Sequence, residues 1–345
     1  MKTRTLLVDS NYLLKRSFHG AKTAYTDKFG HIGGLYMFYT TLRRLIREYK
    51  INKIVLCWDG ENSGLMRNRI SRDYKANRKS KEWHKKIVMS DGQVRREEEK
   101  DRSILKQRKR IQQYAEELYI RQIEIDEIEA DDLIAQYCID YHDKEEIYIY
   151  SNDRDFSQLL DLDITILFPN IDKPITRKNY LTQFGHHYTN ALTMKILCGD
   201  VSDNIKGVDG IQETTLLKHF PDLRVRHVSV REICKKSVSL NEERVLEKKK
   251  ALKKLEKITE SLDLLKTNYK LMNLKSPILN EEAIDELEQL EMPLSSQGRS
   301  SKNLYKMMVE DDFLFIYGSS FVSYVEPFYS VIMHEKQLLK EFNEN

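Results

Sequence analysis

Residues 5–9 (TLLVD) and 53–59 (KIVLCWD) are two short apolar runs, and each ends in an aspartate. Between them, Gly33 and Gly34 precede the segment LYMFYTTLRRLIREYK, whose apolar residues recur at helical spacing. Apolar runs of this length are typical of strands buried on both faces of a sheet, and the order strand, helix, strand is typical of parallel pairing. The N-terminal third of the chain is therefore predicted to contain a parallel β-sheet.

The same alternation continues along the chain. Residues 121–126 (RQIEID), 146–151 (EIYIYS) and 162–168 have the pattern of strands, and residues 130–141 have the pattern of a helix. Repetition of this order predicts an α/β fold with a mostly parallel central sheet and helices on both faces.

The character of the sequence changes near residue 190. Only Gly298 and Gly318 follow Gly210, and helix formers dominate Asn241–Asn268. We therefore predict an α/β domain over residues 1–190 and a helical C-terminal region over 191–345.

The composition excludes several classes of protein. With 40% hydrophobic and 32% charged residues among 345, the chain has enough apolar residues for a core and is too mixed for a disordered protein. The mean hydropathy is −0.59, and no apolar run approaches the roughly 20 residues of a membrane span, so no membrane partner is expected. The four cysteines are far apart, which argues against a disulfide framework or a zinc knuckle and favours a cytoplasmic protein.

A basic segment interrupts an otherwise acidic chain. Residues 61–110 contain 17 Lys and Arg against 8 Asp and Glu, although the net charge of the whole chain is only +3. Such a concentration of positive charge indicates that this segment meets a polyanion. A charged helix exposed to solvent is the alternative interpretation.

Acidic residues follow the predicted strands at one end. Asp9 and Asp59 end the first two strands, E-A-D-D follows the third, and D-R-D follows the fourth. Because the carboxyl ends of parallel strands line one crevice, we expect these acids to share a site, together with the two in G-D-V-S-D-N. The predicted set is Asp9, Asp59, Glu129, Asp131, Asp132, Asp153, Asp155, Asp200 and Asp203.

A crevice with this many carboxylates needs cations. Two carboxylates about 4 Å apart repel by roughly 4 kcal/mol at an effective dielectric constant of 20. Oxygen ligands without His or Cys favour hard ions, Mg²⁺ or Mn²⁺, over Zn²⁺. Two such ions about 4 Å apart suit in-line attack by an activated water on a phosphodiester.

At these residues the sequence resembles the structure-specific 5′ nucleases, and in particular phage 5′-3′ exonucleases of the flap endonuclease and ribonuclease H type. The last of the matching motifs, with thirteen residues, is the most specific of them. In chain order the motifs are VDSN (8–11), WDG (58–60), RDYKANRK (72–79), IEADD (128–132), SNDRDF (151–156) and GDVSDNIKGVDGI (199–211).

The resemblance implies a two-metal site that hydrolyses DNA or RNA–DNA from a free 5′ end or at a flap junction, in lagging-strand replication. The nine acids would hold two Mg²⁺ ions, with Mn²⁺ as a substitute, directly or through water. Residues 1–190 would then be a metal-dependent nuclease domain, and residues 61–118 a basic helical arch that receives the single-stranded 5′ arm.

Two residues of the arch match catalytic positions of the family. Lys75 would stabilise charge on the scissile phosphate, and Arg78 would grip phosphate in bidentate fashion. Tyr74 would stack on a terminal base. A diffuse positive field that guides the strand would come from Arg67, Arg69, Arg72 and Lys79.

The segment 199–220 matches a helix–loop–helix element that binds duplex DNA and, in the family, a potassium ion. Lys206, Gly207 and Gly210 are the expected contacts, because glycine lets the backbone approach phosphate closely. The sequence departs from the family's G-I-G-x-K-T pattern, since Gln212 replaces the second glycine and Thr214 the lysine. Compensation is expected from Lys206, Lys218 and the lysine-rich stretch 248–257, for which a charged helix is the alternative.

Two other functions remain open at this point. One is a catalytically silent protein that binds DNA junctions, and the other is a ribonuclease of the related single-domain type that acts on structured RNA. The expected partners of the nuclease are DNA with a 5′ flap or free 5′ end, RNA–DNA hybrid, and a replication protein such as a single-strand-binding protein. We expect a monomer that acts in the cytoplasm, the host's if a phage encodes it.

Overall fold

A computed structural model of the chain describes residues 2–21, 26–27, 30–77, 90–313 and 320–344. The predictions for Arg78 and Lys79 fall outside these residues. None of the helices in the described ranges has an apolar stretch long enough to cross a lipid bilayer.

Five strands form a central sheet in the order β5-β4-β1-β6-β7, and every neighbouring pair is parallel. This confirms the predicted α/β fold. The strands of the chain are β1 (Arg4–Asp9), β2 (Thr26–Asp27), β3 (Gly30–His31), β4 (Lys53–Asp59), β5 (Arg121–Ile125), β6 (Glu146–Tyr150), β7 (Thr165–Leu167), β8 (Gly199–Asp200) and β9 (Ile205–Lys206).

The order of the strands creates a crevice beside β1. The chain first builds outward from β1 through β4 to β5, and then returns to the other side of β1 with β6. In open parallel sheets, ligands bind where the order reverses, at the carboxyl ends of the strands. The register pairs Asp9 with Cys57 and Val8 with Tyr150, so Ser151 follows β6 directly beside the end of β1.

Helices cover both faces of the sheet. The N-terminal helices are α1 (Ser10–Gly20), α2 (Gly33–Tyr49), α3 (Leu65–Ile70), α4 (Asp91–Glu117), α5 (Ala130–Tyr141) and α6 (Tyr180–Phe184). The later ones are α7 (Ala191–Cys198), α8 (Glu213–His219), α9 (Val230–Leu246), α10 (Lys253–Glu260), α11 (Leu262–Met272), α12 (Glu281–Gln289), α13 (Ser301–Glu310), α14 (Phe321–Val325) and α15 (Tyr329–Glu344). Short 3₁₀ helices span Arg154–Leu162, Tyr188–Asn190, Pro221–Arg224 and Glu326–Phe328.

Alternate residues of each central strand enter different cores. Leu6 and Val8 belong to the core beneath α1, α2, α4 and the C-terminal helices, whereas Leu7 belongs to the core beneath α5 and α12. All three are fully buried, because a strand between two helical layers has no solvent face. Burial of each such side chain stabilises the fold by about 1.5–3 kcal/mol.

The helical region divides between two kinds of packing. Residues 194–265 have a core of their own, which includes Leu197, Leu216 and Leu265. Residues beyond 280 instead complete the two cores of the sheet, with Leu287 on one face and Phe328 on the other. The domain boundary at 190/191 stays a prediction.

The described part of the predicted arch consists of α3, the turn after it and α4. Helix α4 is attached to the body of the protein near its C-terminal end, where Gln107 Oε1 accepts a hydrogen bond of 2.9 Å from the Leu35 amide. Arg110 forms an ion pair of 2.8 Å with Asp311, which precedes α14. The C-terminal part of this 27-residue helix is therefore anchored to the rest of the protein.

Candidate functional site

Asp9 lies at the end of β1, where its carboxylate also caps helix α1. Its Oδ1 accepts a hydrogen bond of 3.0 Å from the Tyr12 amide, and its Oδ2 accepts one of 2.9 Å from the Ser151 hydroxyl. Burial, together with the negative charges of Asp59 and Asp153, raises the pKa of Asp9 to about 6. The side chain is therefore held in place by hydrogen bonds, and no lysine or arginine in the described part of the chain forms an ion pair with it.

Asp59 lies at the end of the neighbouring strand β4 and is held from two sides. Its Oδ1 accepts a hydrogen bond of 3.0 Å from the Ala130 amide, at the start of α5. Its Oδ2 accepts one of 2.6 Å from Asn11 Nδ2, in the first turn of α1. Two helix starts thus converge on the carboxyl edge of the sheet, where their dipoles favour negative charge.

Asp131 and Asp153 join this group from the next elements. Asp131 lies in the first turn of α5, and Asp153 follows β6, where it accepts a hydrogen bond of 2.8 Å from the Asp155 amide. Burial raises the pKa of Asp131 well above its ordinary value, and the charges of Asp153 and Asp9 raise it further. The three carboxylates therefore share one negative field.

A second group of acids is organised by a lysine that our sequence reasoning did not single out. Lys195 Nζ lies 2.7 Å from Asp155 Oδ1 and also contacts Asp200. Burial and the charge of Asp153 raise the pKa of Asp155 to about 7, although Lys195 opposes this. The hydrogen bonds from Lys195 and Ser202 outweigh burial at Asp200 and lower its pKa to about 2.

Glu129 joins the carboxyl edge to the base of the predicted arch. The Tyr74 hydroxyl donates a hydrogen bond of 2.8 Å to Glu129 Oε2, and Lys75 Nζ forms an ion pair with Oε1. Tyr74 is 4% exposed, so this structure buries the ring that we expected to stack on a base. Lys75 has a left-handed backbone (φ 53°), and its amide donates to the Asp203 carbonyl at 2.8 Å.

Asp132 is placed differently from its predicted role as a metal ligand. It is 1% exposed and forms a bidentate ion pair with Arg67, in which Nη2 lies 3.0 Å from Oδ1. Oδ1 also accepts a hydrogen bond of 3.0 Å from the Ile278 amide. Arg67 is likewise buried, at 5% exposure, and does not belong to an exposed field that guides a strand. Adjacent residues of a helix point about 100° apart, so Asp131 faces the crevice while Asp132 faces the protein.

The donor set fits hard divalent cations in its chemistry. The candidate ligands at the crevice are all carboxylate oxygens, and burial, together with the charges of neighbouring acids, raises the pKa values of Asp9 and Asp131. Within the described ranges, no group of three or more His, Cys, Asp or Glu side chains is arranged to hold a metal ion. Hydrogen bonds from Asn11 and Ser151 hold Asp59 and Asp9 in place.

The predicted duplex-binding segment starts with a tight hairpin. Strands β8 and β9 pair so closely that a Cβ on Gly207 would lie 2.2 Å from the Cys198 carbonyl carbon, so only glycine fits. Gly207 thus has a packing role in the structure. Gly210 (φ 77°) lies on an exposed loop, and Lys206 is exposed beside it. The side chain of Lys254, from α10, covers Gly210.

Comparison with known proteins agrees with this architecture. The sequence profile of the 5′-3′ exonuclease N-terminal resolvase-like domain matches residues 4–185. A 5′-3′ exonuclease of Mycoplasmopsis pulmonis is 27% identical over 222 residues, which are 63% of this chain and 67% of that protein. A 5′-3′ exonuclease of Aquifex aeolicus is 26% identical over 296 residues, which are 85% of this chain and 93% of that one.

The same fold occurs in a solved structure. A flap endonuclease of bacteriophage T5, crystallised as a variant with DNA and metal ions, superposes with a TM-score of 0.61 at 18% identity and covers 90% of this chain and 99% of that one. The match of the family profile to more than half of the chain confirms the resemblance found in the motifs. The protein therefore belongs to the 5′-3′ exonuclease family of structure-specific 5′ nucleases, and it is a phosphodiester hydrolase.

Proposed function

We propose that the protein is a Mg²⁺-dependent nuclease that cleaves DNA or RNA–DNA at a free 5′ end or a 5′ flap, and that it removes primers or flaps from lagging-strand fragments. The observation that supports the proposal is the placement of Asp9, Asp59, Asp131 and Asp153 at the carboxyl edge of the sheet, at the ends of β1 and β4, in the first turn of α5 and after β6. A protein that only binds DNA gains nothing from acids that repel phosphate.

We assign different roles to the groups of residues in the site. Asp9, Asp59, Asp131, Asp153, Asp155, Asp200 and Asp203 would hold the two Mg²⁺ ions as a group, directly or through water. When bound, the two ions supply an activated water and stabilise the leaving 3′-oxygen. Glu129 keeps the ammonium group of Lys75 beside the crevice, where it would meet charge that develops on the scissile phosphate.

Asn11 and Ser151 support the first group of acids. Each donates one hydrogen bond to Asp59 or Asp9, and a backbone amide donates to the other oxygen of the same carboxylate, so both carboxylates are held in one orientation. Arg78 and Lys79 remain the proposed phosphate contacts of the arch.

The substrate and partners follow from the same proposal. DNA in the T5 structure and the exposed loop at Lys206 and Gly210 support a duplex with a 5′ arm as substrate. A potassium ion at this loop, a single-strand-binding protein as partner, a monomeric state and a cytoplasmic location also belong to the proposal.

The experiment uses labelled 5′-flap, blunt and RNA–DNA substrates with Mg²⁺ or with EDTA. We expect 5′ cleavage only with Mg²⁺, and its loss in Asp153→Asn with nearly unchanged binding of the flap substrate. Asp172→Asn, on an exposed turn, is the control. Cleavage in EDTA, or an active Asp153→Asn, would contradict the proposal.

A further inference from the structure

Arg67 is a buried cation at the junction of three segments. Its Nη1 lies 2.6 Å from Glu129 Oε2 and also contacts Asp132, so one guanidinium holds two residues of the E-A-D-D motif. Its Nε donates a hydrogen bond of 3.0 Å to the Leu271 carbonyl, near the end of α11. The side chain therefore joins α3, α5 and the helical region.

The geometry of these contacts requires a guanidinium. Three nitrogens of one planar group donate to four acceptor atoms on three residues, whereas an ammonium has only three N–H donors, all on one nitrogen. The charges of Arg67 and Lys75 balance those of Glu129 and Asp132, so the buried cluster is neutral. Burial raises the pKa of Glu129, but Arg67 and Lys75 together hold it below its ordinary value.

Helix α11 connects this cluster to the duplex-binding segment. Asn268, on α11, is 1% exposed, and its Nδ2 donates hydrogen bonds of 2.9 Å to the Ile196 carbonyl and 2.8 Å to the Lys206 carbonyl. Lys206 belongs to the β8–β9 hairpin. A continuous series of contacts thus runs from the exposed loop, through α11 and Arg67, to Glu129.

We infer that Arg67 is a positioning residue of the nuclease site, which sets the place of Glu129 and Lys75 according to the position of α11. The inference rests on the proposed function. If Arg67 served only the stability of the fold, its replacement would lower the melting temperature and leave the chemistry of the folded protein unchanged.

Another buried arginine provides a matched control. Arg121 forms a bidentate ion pair with Glu335, at 2.8 and 2.6 Å, and their side chains are 1% and 0% exposed. Like Arg67, it also donates to backbone carbonyls, those of Leu290 and Met292. It lies at the amino end of β5, away from the acids of the crevice.

The test compares Arg67→Lys with Arg121→Lys in the full chain, below the melting temperature of both. We expect Arg67→Lys to lower kcat on a 5′-flap substrate and Mg²⁺ affinity in calorimetry by about 10-fold each, with KM for the DNA within about twofold. Arg121→Lys should lower only the melting temperature. Equal kcat and Mg²⁺ affinity in Arg67→Lys and wild type would overturn the inference alone, whereas an inactive wild type would overturn the proposed function as well.

A double-mutant cycle covers the case in which Arg67→Lys fails to fold well enough for kinetics. Asp132→Asn keeps the shape of the side chain and weakens its pairing with Arg67. If Asp132 acts through Arg67, the effects of Asp132→Asn and Arg67→Lys on Mg²⁺ affinity are not additive. If Arg67→Lys is unfolded, Asp132→Asn alone should lower kcat, and an unchanged kcat would overturn the inference.

Discussion

The two edges of the central sheet differ in how their buried charges are paired. At the amino ends of the strands, Lys53 forms an ion pair of 2.9 Å with Glu145, and Arg121 forms one of 2.6 Å with Glu335. Both pairs are almost completely buried. At the carboxyl ends, by contrast, no lysine or arginine of the described residues forms an ion pair with Asp9, Asp59 or Asp153.

The difference separates charges that serve the fold from charges that serve the reaction. A buried charge without a partner is costly, so a fold that only needs stability pairs its charges, as the amino edge does. At the carboxyl edge, Lys195 and Lys75 pair with Asp155, Asp200 and Glu129, but among the described residues no lysine or arginine forms an ion pair with Asp9, Asp59 or Asp153. This edge is therefore where we propose that the metal ions bind.

The largest effect is expected at the amino edge. Glu145→Gln would leave Lys53 buried without its partner and would weaken the hydrogen bonds from Thr5 and Tyr137. We expect the free energy of unfolding to fall by about 3–5 kcal/mol in urea denaturation, with kcat of the folded protein within about twofold. Glu48→Gln, in an exposed pair, is the control. If kcat fell in proportion to the free energy of unfolding, the amino edge would also contribute to the reaction, which would contradict the difference between the two edges.

A substitution of Lys75 tests the role of the lysine that pairs with Glu129 at the carboxyl edge. Lys75→Ala should slow single-turnover cleavage by about 10²-fold, because it removes a positive charge beside the scissile phosphate. Binding of the flap substrate should change little. The exposed Lys302→Ala serves as the control, and an unchanged rate would remove Lys75 from the mechanism.

Mg²⁺ should stabilise the protein through the carboxyl edge alone. At a free concentration of about 100 times Kd, a ligand that binds only the folded state adds about 2.7 kcal/mol. We expect a higher melting temperature in MgCl₂ than in EDTA. The Glu145→Gln variant should show the same rise in melting temperature as the wild type. Equal melting temperatures in both buffers would contradict a cation site at this edge.

The smallest effect has the opposite sign from the first. Asp131→Asn removes one charge that Asp153 and Asp9 repel. In EDTA we expect it to stabilise the protein by about 1 kcal/mol, which raises the melting temperature by about 1–2 °C. Asp172→Asn should change nothing. If Asp131→Asn were less stable than the wild type, the carboxylate of Asp131 would contribute to the stability of the fold, which would contradict this prediction.

The strands and their shared edge were predictable because both depend on local patterns. Short apolar or alternating runs predicted the five strands, three of which end in an acid, and parallel pairing brought Asp9 and Asp59 to the same edge of the sheet. Lys195 was missed because it is a single lysine in an apolar helix. Its isolation in that helix was the signal, but only the fold brings Asp155 to it.

Tertiary contacts decide the remaining residues of the site. Tyr74 and Arg67 lie in a basic segment whose composition favours exposure to solvent. Both are nevertheless buried, because Tyr74 donates a hydrogen bond to Glu129 and Arg67 forms an ion pair with Asp132. These acids lie more than fifty positions further along the chain. Sequence periodicity reports which face of a helix is apolar, but it does not report a buried polar cluster that several segments assemble.

The partnership of Arg121 with Glu335 has a consequence for synthesis on the ribosome. The two residues are 214 positions apart, so the strand that carries Arg121 is made long before its counter-ion. Until α15 leaves the exit tunnel, the sheet must keep that guanidinium hydrated. Arg121 can therefore gain its counter-ion only after Glu335 has been synthesised and has left the tunnel.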